Sequence, residues 1–182
     1  MKKDLKKIII IPNGVTVEIK GNSIMAKGIQ GEIKRSFKIK NIKIVNNENK
    51  IEISSNNATK KEKRMINTLH AHIKNIVNGV NEKFEYELKV CNSHFPMTVE
   101  YKSKDKIAII KNFLGEKIPR KVKIPNEVNV DVNKDIIKIS SINKELAGQT
   151  AANFEKSTFI SLRDRRVFQD GIFITNKAGR EI

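Results

Sequence analysis

The side chains able to do chemistry are few, and most of their spacings exclude it. His70 and His72 are two apart in a segment with helical periodicity, so they point to different sides and form no chelating pair. Cys91 and His94 supply two zinc-ligand types, but no second Cys or His pair exists to complete four ligands. Gly28-Ile29-Gln30-Gly31 lacks the spacing of a dinucleotide loop, and Gly115-Glu116-Lys117 lacks the rest of a phosphate loop. Glu155, Asp164 and Asp170 raise the idea of a magnesium-dependent nuclease, which needs several carboxylates converging with few competing cations. Arg163 and Arg165 flank Asp164 and suit ion pairing with it, while Asp170 before Gly171 reads as a turn residue entering a strand. No catalytic residue, metal site or cofactor is expected.

Cations are the better material. Lys60, Lys61, Lys63 and Arg64 crowd the start of a helix, where the peptide dipole is already positive; the cluster reads equally as a site for an anionic partner or as a solvated polar face. Lys117, Arg120, Lys121 and Lys123 line a strand and its approach. Arg163, Arg165 and Arg166 fall in a loop, with Lys177 and Arg180 close behind. Guanidinium forks grip phosphate oxygens at two points and stack on exposed bases, which ammonium groups cannot do. Arginines on loops held by a rigid sheet suit an irregular folded RNA better than a regular duplex. With no Trp and two Tyr, stacking of successive bases along a single strand is not expected.

The elements that carry these residues occur twice. Thr16-Val17-Glu18-Ile19-Lys20 returns as Thr98-Val99-Glu100-Tyr101-Lys102, and Ile51-Glu52-Ile53-Ser54-Ser55 as Ile137-Lys138-Ile139-Ser140-Ser141. A repeat this long marks two domains of one kind, since solenoid repeats are much shorter. In the first half Val15, Val17 and Ile19 alternate, as do Phe37 and Ile39, then Ile51 and Ile53, as strands do. Asn46–Asn49 reads as the turn of a hairpin. Met65, Ile66, Leu69, Ile73, Ile76, Val77 and Val80 then follow helical spacing, with Thr59 and Glu62 as a capping box and Gly79 near the far end. A strand over Phe84–Val90 closes this half. The second half predicts strands at 97–102, 107–111, 117–124, 128–132 and 136–140, a helix over 145–159 and a last strand over 171–175. Gly148 and the small residues Ala147, Thr150, Ala151 and Ala152 mark that helix for close packing on a sheet.

The expected fold is α+β: two tandem similar domains, each a small antiparallel or mixed sheet covered on one face by one helix. The expected limits are residues 1–91 and 97–182, joined by the short junction 92–96. A net charge of +16 on 182 residues raises the local concentration of polyanions, with the larger share in the first half. A single cysteine cannot form an internal disulfide and fits a reducing compartment. The apolar run Ile8–Ile11 is too short for a signal peptide, and no segment approaches the ~20 apolar residues of a membrane span. A cytoplasmic protein is expected.

Several motifs resemble a known family. Arg166-Val167-Phe168-Gln169-Asp170-Gly171-Ile172-Phe173-Ile174-Thr175-Asn176-Lys177 resembles the C-terminal signature of large-subunit ribosomal protein L-six, in its archaeal and eukaryotic branch. Ser93-His94-Phe95-Pro96, Asn112-Phe113-Leu114-Gly115-Glu116-Lys117 and the run His72–Val80 match in the same order. Ile29 stands where the family often has proline, and Lys83 where glycine is usual. The resemblance implies a structural protein that binds 23S-type rRNA near the sarcin–ricin loop and the base of the factor-recruiting stalk, mainly through its second domain. Neighbouring large-subunit proteins and translation factors would lie close by. Carried onto this sequence, the RNA-binding residues are Arg163, Arg165, Arg166, Lys177, Arg180, Lys117 and Arg120. Phe168, Asp170 and Gly171 would shape the turn. The competing reading is a basic adaptor that binds acidic proteins.

Overall fold

A computed structural model describes residues 3–47, 49–164 and 166–182. The chain divides into two compact units, Met1–Lys83 and Phe84–Ile182. Among the described residues all strand pairings are antiparallel.

In the first unit β1 (Lys3–Ile10) pairs with β6 (Lys50–Ala58), and β6 pairs with β5 (Lys43–Asn47). A second sheet joins β2 (Thr16–Lys20), β3 (Ser23–Gly28) and β4 (Gly31–Ser36). Helix α1 (Lys60–Asn81) packs on β1, β6, β3 and β4. Its stripe of Ile66, Leu69, Ile73, Ile76, Val77 and Val80 is buried, while Met65 stays 40% exposed. The capping box forms: Lys61 N–H donates to Thr59 Oγ1 at 3.3 Å, and Thr59 N–H donates to Glu62 at 2.9 Å. Gly79 lies inside the helix instead of ending it.

Gly28 explains how the hairpin tip meets the helix. A Cβ on Gly28 would lie 2.5 Å from the Val80 carbonyl oxygen. The bare backbone lets the β3–β4 turn approach, so that Gln30 N–H donates to that oxygen at 3.0 Å. One of the carbonyls left unpaired at a helix end thereby finds a donor. Ile29, in the same turn, needs no proline for this and points out, 78% exposed.

The second unit repeats the plan with an addition. β7 (Phe84–Cys91) pairs with β12 (Ile136–Ser141), which pairs with β11 (Asn129–Asn133). β13 (Gly171–Lys177) covers the other edge of β7, followed by β14 (Arg180–Glu181). β8 (Thr98–Lys102), β9 (Ile107–Lys111) and β10 (Arg120–Lys123) form a separate sheet. Helix α2 (Lys144–Ser157) lays Ala147, Thr150, Ala151 and Phe154 against β7, β12 and β13. A Cβ on Gly148 would sit 3.1 Å from the Tyr86 hydroxyl, so the small residues serve tight packing, as expected. The repeat extends to single bonds: Ser55 Oγ donates to the Asn41 carbonyl and Ser141 Oγ to that of Glu127, both at 2.8 Å and both serines buried.

The structure corrects several expectations. Each unit holds two sheets, not one, because β2–β4 and β8–β10 pair only among themselves. The strand 84–91 belongs to the second unit, so the division falls at 83/84 instead of 92–96; Tyr86, Leu88 and Val90 alternate into that unit's core. Phe37 and Ile39 lie beyond the end of β4, outside any strand. The strand expected from 117 begins only at Arg120, after Pro119, which has no N–H to give a ladder.

Candidate nucleic-acid interface

The basic loop between α2 and β13 is held by its own acids. Asp164 accepts the Arg166 N–H at 2.9 Å, and its carbonyl accepts the N–H groups of Val167 and Phe168 at 3.2 and 3.0 Å. Asp164 therefore folds the turn, a role short polar side chains perform by mimicking backbone. Arg163, expected to pair with it, instead lies over the Phe168 ring, 4.8 Å from its centroid. The other expected partner, Arg165, lies outside the described residues.

Asp170 anchors the loop's end. Only 3% exposed, it accepts N–H bonds from Ser93 at 2.6 Å and His94 at 3.0 Å, and pairs with the His94 ring at Nδ1. Burial pushes its carboxyl up, but the bonds from His94 and Ser93 outweigh that and hold it below the usual aspartate range. The His94 ring also stacks on Phe168, with centroids 4.9 Å apart. Phe168 and Asp170 thus clamp the turn after β7 while Gly171, at φ +156°, starts β13. Ile172 N–H then donates to Thr158 Oγ1 at 2.9 Å, tying the strand to the end of α2. The turn-shaping role expected for Phe168, Asp170 and Gly171 takes this form. The pairing of His94 with Asp170 is what the sequence did not show: His94 stood out beside Cys91 and in the Ser-His-Phe-Pro motif, but no spacing connects it to Asp170.

Arg120 is engaged within the protein. Its Nε donates to Glu116 at 2.8 Å, its Nη1 to the Ser157 carbonyl at 2.6 Å, and its guanidinium covers the buried Phe113 ring at 4.3 Å. Its second terminal nitrogen completes a fork on Glu116. The hydrogen bonds from Arg120 hold the Glu116 carboxyl below its ordinary value, with Arg163 adding to the same field. Arg120 is therefore a brace joining the 113–116 turn to the end of α2. Lys117, next to the brace, is exposed, as are Arg163 and Arg166.

Lys177 and Arg180 face each other across the β13–β14 hairpin, and both are exposed. Like charges directly opposite in a sheet are destabilising unless an anion relieves them. Six residues of β13, Gly171 to Asn176, separate this pair from the loop, roughly 20 Å of strand. The structure therefore presents two groups: Arg163 and Arg166 on the loop, with Arg163 in the field of Glu116 next to Lys117, and Lys177 with Arg180. In the first unit, Lys60, Lys61, Lys63 and Arg64 are exposed on the first turns of α1. Among the described residues no cluster of His, Cys, Asp and Glu is placed to hold a metal. No described helix is long and apolar enough to cross a membrane.

This arrangement places exposed cations where they can hold anions. The family model described as ribosomal protein L6 matches residues 11–83 and 95–171. Large ribosomal subunit protein uL6 of Methanosphaera stadtmanae is 45% identical over 180 residues, covering 98% of this chain and 97% of the relative. That of Methanobrevibacter smithii is 44% identical over 173 residues, 95% and 96% of the two chains. That of Methanosarcina mazei is 43% identical over 178 residues, 98% and 100%. A repeated α+β scaffold, the Phe-x-Asp-Gly clamp and full-length likeness to these archaeal proteins converge: the chain belongs to the ribosomal protein L6 family.

Proposed function

We propose that the chain is a structural constituent of the large ribosomal subunit in the cytoplasm, binding folded 23S-type rRNA near the sarcin–ricin loop and the stalk base. Its partners are that rRNA and neighbouring large-subunit proteins, with translation factors close by. The contacts are assigned to Arg163, Arg166, Lys117, Lys177 and Arg180, together with Arg165. The carrying observation is the locked basic loop: two exposed arginines on a turn fixed by Asp164, Phe168 and buried Asp170. A fixed turn presents guanidinium groups with less ordering left to be done on binding. Lysines on the first turns of α1 have no comparable brace, and diffuse charge gives weak, sequence-independent attraction.

Filter binding to large-subunit rRNA fragments tests this. Arg166→Ala is expected to weaken binding more than Lys61→Ala; equal losses would refute the choice of the second unit. Log affinity should fall linearly with log salt, by roughly 0.9 per phosphate neutralised on duplex regions. A shallow slope would favour a protein partner.

A further inference from the structure

Strand β1 is at the edge of its sheet, paired on one side only, with β6. Ile11 N–H donates to the Asn49 carbonyl at 3.0 Å, on the β6 side. Backbone groups alternate in direction along an antiparallel strand, so the N–H and C=O of Lys6, Ile8 and Ile10 point away from β6.

The second unit holds the same strand in a completed state. Ile9 sits opposite Ile51 as Leu88 sits opposite Ile137, and Lys7 opposite Ile53 as Tyr86 opposite Ile139. Val90 N–H donates to the Asp135 carbonyl at 2.8 Å, repeating the Ile11 bond. There β13 fills the outer edge of β7, with Ile172 opposite Val90 and Ile174 opposite Leu88. β13 comes after α2 in the chain. The strand that comes after α1 is β7, and both its edges are already taken by β12 and β13. The first unit is therefore one strand short.

Side chains differ in the same sense. Where the covered edge carries Glu85, Glu87 and Lys89, the open edge carries Lys6, Ile8 and Ile10. Ile8 and Ile10 are 47% and 72% exposed, and Val45 lies across Glu52 from Ile8, also 47% exposed. Open strand edges pair with other chains unless charge, proline or a bulge blunts them. Lys3, Lys6 and Lys7 guard one end of β1; the Ile8–Ile10 end is bare. Lys50 lies opposite Ile10 on the neighbouring strand, and Glu52, opposite Ile8, is held by Lys6 at 2.9 Å.

We propose that the outer edge of β1 docks an extended acidic segment of another protein, which adds antiparallel as a fourth strand. Backbone bonds form at Lys6, Ile8 and Ile10; apolar side chains of the segment cover Ile8 and Ile10, and its carboxylates meet Lys6 and, across Ile10, Lys50. Such strand addition takes its affinity from main-chain bonds and its specificity from alternate side chains. A second copy of this chain is disfavoured, because two chains of +16 would bring lysine-rich edges together.

Amide hydrogen exchange on the full chain tests the proposal; the probe is a blocked synthetic peptide with isoleucine, valine and glutamate at successive alternate positions and threonine between them, so that its carboxylate and apolar side chains share one face. In the free chain Ile8 and Ile10 amides should exchange fast and the Ile9 amide slowly. The peptide should slow Ile8 and Ile10 by about tenfold or more, as closure of a backbone bond does, and leave Ile9 unchanged. A lysine-for-glutamate peptide should give no protection. Ile8→Pro removes an outward donor while sparing the β1–β6 ladder, and the double variant Ile8→Glu, Ile10→Glu removes the apolar contact and repels the segment's carboxylates; either should abolish the effect. Protection unaffected by both variants, or none with the acidic peptide, overturns the proposal. So does protection in the free chain that deepens with protein concentration, which would place a second copy on the edge, or protection by an rRNA fragment in place of the peptide. None of these outcomes touches the assigned RNA-binding residues of the second unit.

Discussion

At the scale of single residues, charge serves two ends. Arg120, Glu116, Asp164 and Asp170 bond within the protein, holding turns together. Arg163, Arg166, Lys117, Lys177 and Arg180 remain exposed. Asp170 is the most consequential of the first group, because a buried carboxylate with three donors loses a great deal when it loses its charge. Asp170→Asn should destabilise the second unit by about 2 kcal/mol, as expected for hydrogen bonds to a charged group, measured by urea unfolding at neutral pH. The folded carboxyl titrates below its ordinary value of 3.8. Its contribution is therefore complete above that value and is lost as pH falls through the lower folded value. The gap between wild type and Asp170→Asn should be full near pH 6 and close progressively below about pH 4. A gap that widened in acid would contradict this account.

At the scale of elements, the strands and helices that alternate or repeat cleanly were legible: α1 with its capping box, β2, the β5–β6 hairpin, and β8, β9, β11, β12 and β13. β1 was not, because its Lys-rich start shows no alternation; a strand open on one edge buries only Ile9 fully. β3 and β4 escaped as well, their apolar positions being diluted by Gly, Ser and Lys. The β3–β4 tip depends on a glycine whose reason is tertiary. Gly28→Ala would drive a methyl group into the Val80 carbonyl, which belongs to helix backbone and cannot rotate away. We expect a loss of about 1–3 kcal/mol, as for other overpacked sites, with faster amide exchange at Gln30. Unchanged stability would mean that the tip does not need its contact with α1.

At the scale of the whole molecule, duplication sets the architecture and the offset between repeats sets the boundary. β7 is the strand of the second unit that corresponds to β1 of the first, although it comes directly after α1. A fragment starting at Phe84 should therefore fold alone, with cooperative thermal unfolding, whereas one starting at Asn92 should not. The shorter fragment lacks the central strand that carries Tyr86, Leu88 and Val90 into the core. Independent folding of the shorter fragment would restore the boundary to the junction that the sequence suggested.

The chain's order of residues determined the repeat, the α+β class, the strongly basic character and the motifs of the family, because each arises from local periodicity, composition or short runs of residues. Tertiary structure alone decided which cations are free. Arg120 and Arg166 are equally basic as text, yet one is folded onto Glu116, Ser157 and Phe113 and the other stands in solvent. The same holds for His94 and Asp170, whose pairing joins positions far apart in the chain, and for the strand that changes units. Hydrogen bonds between distant segments leave no periodic trace, so only the folded chain reveals them.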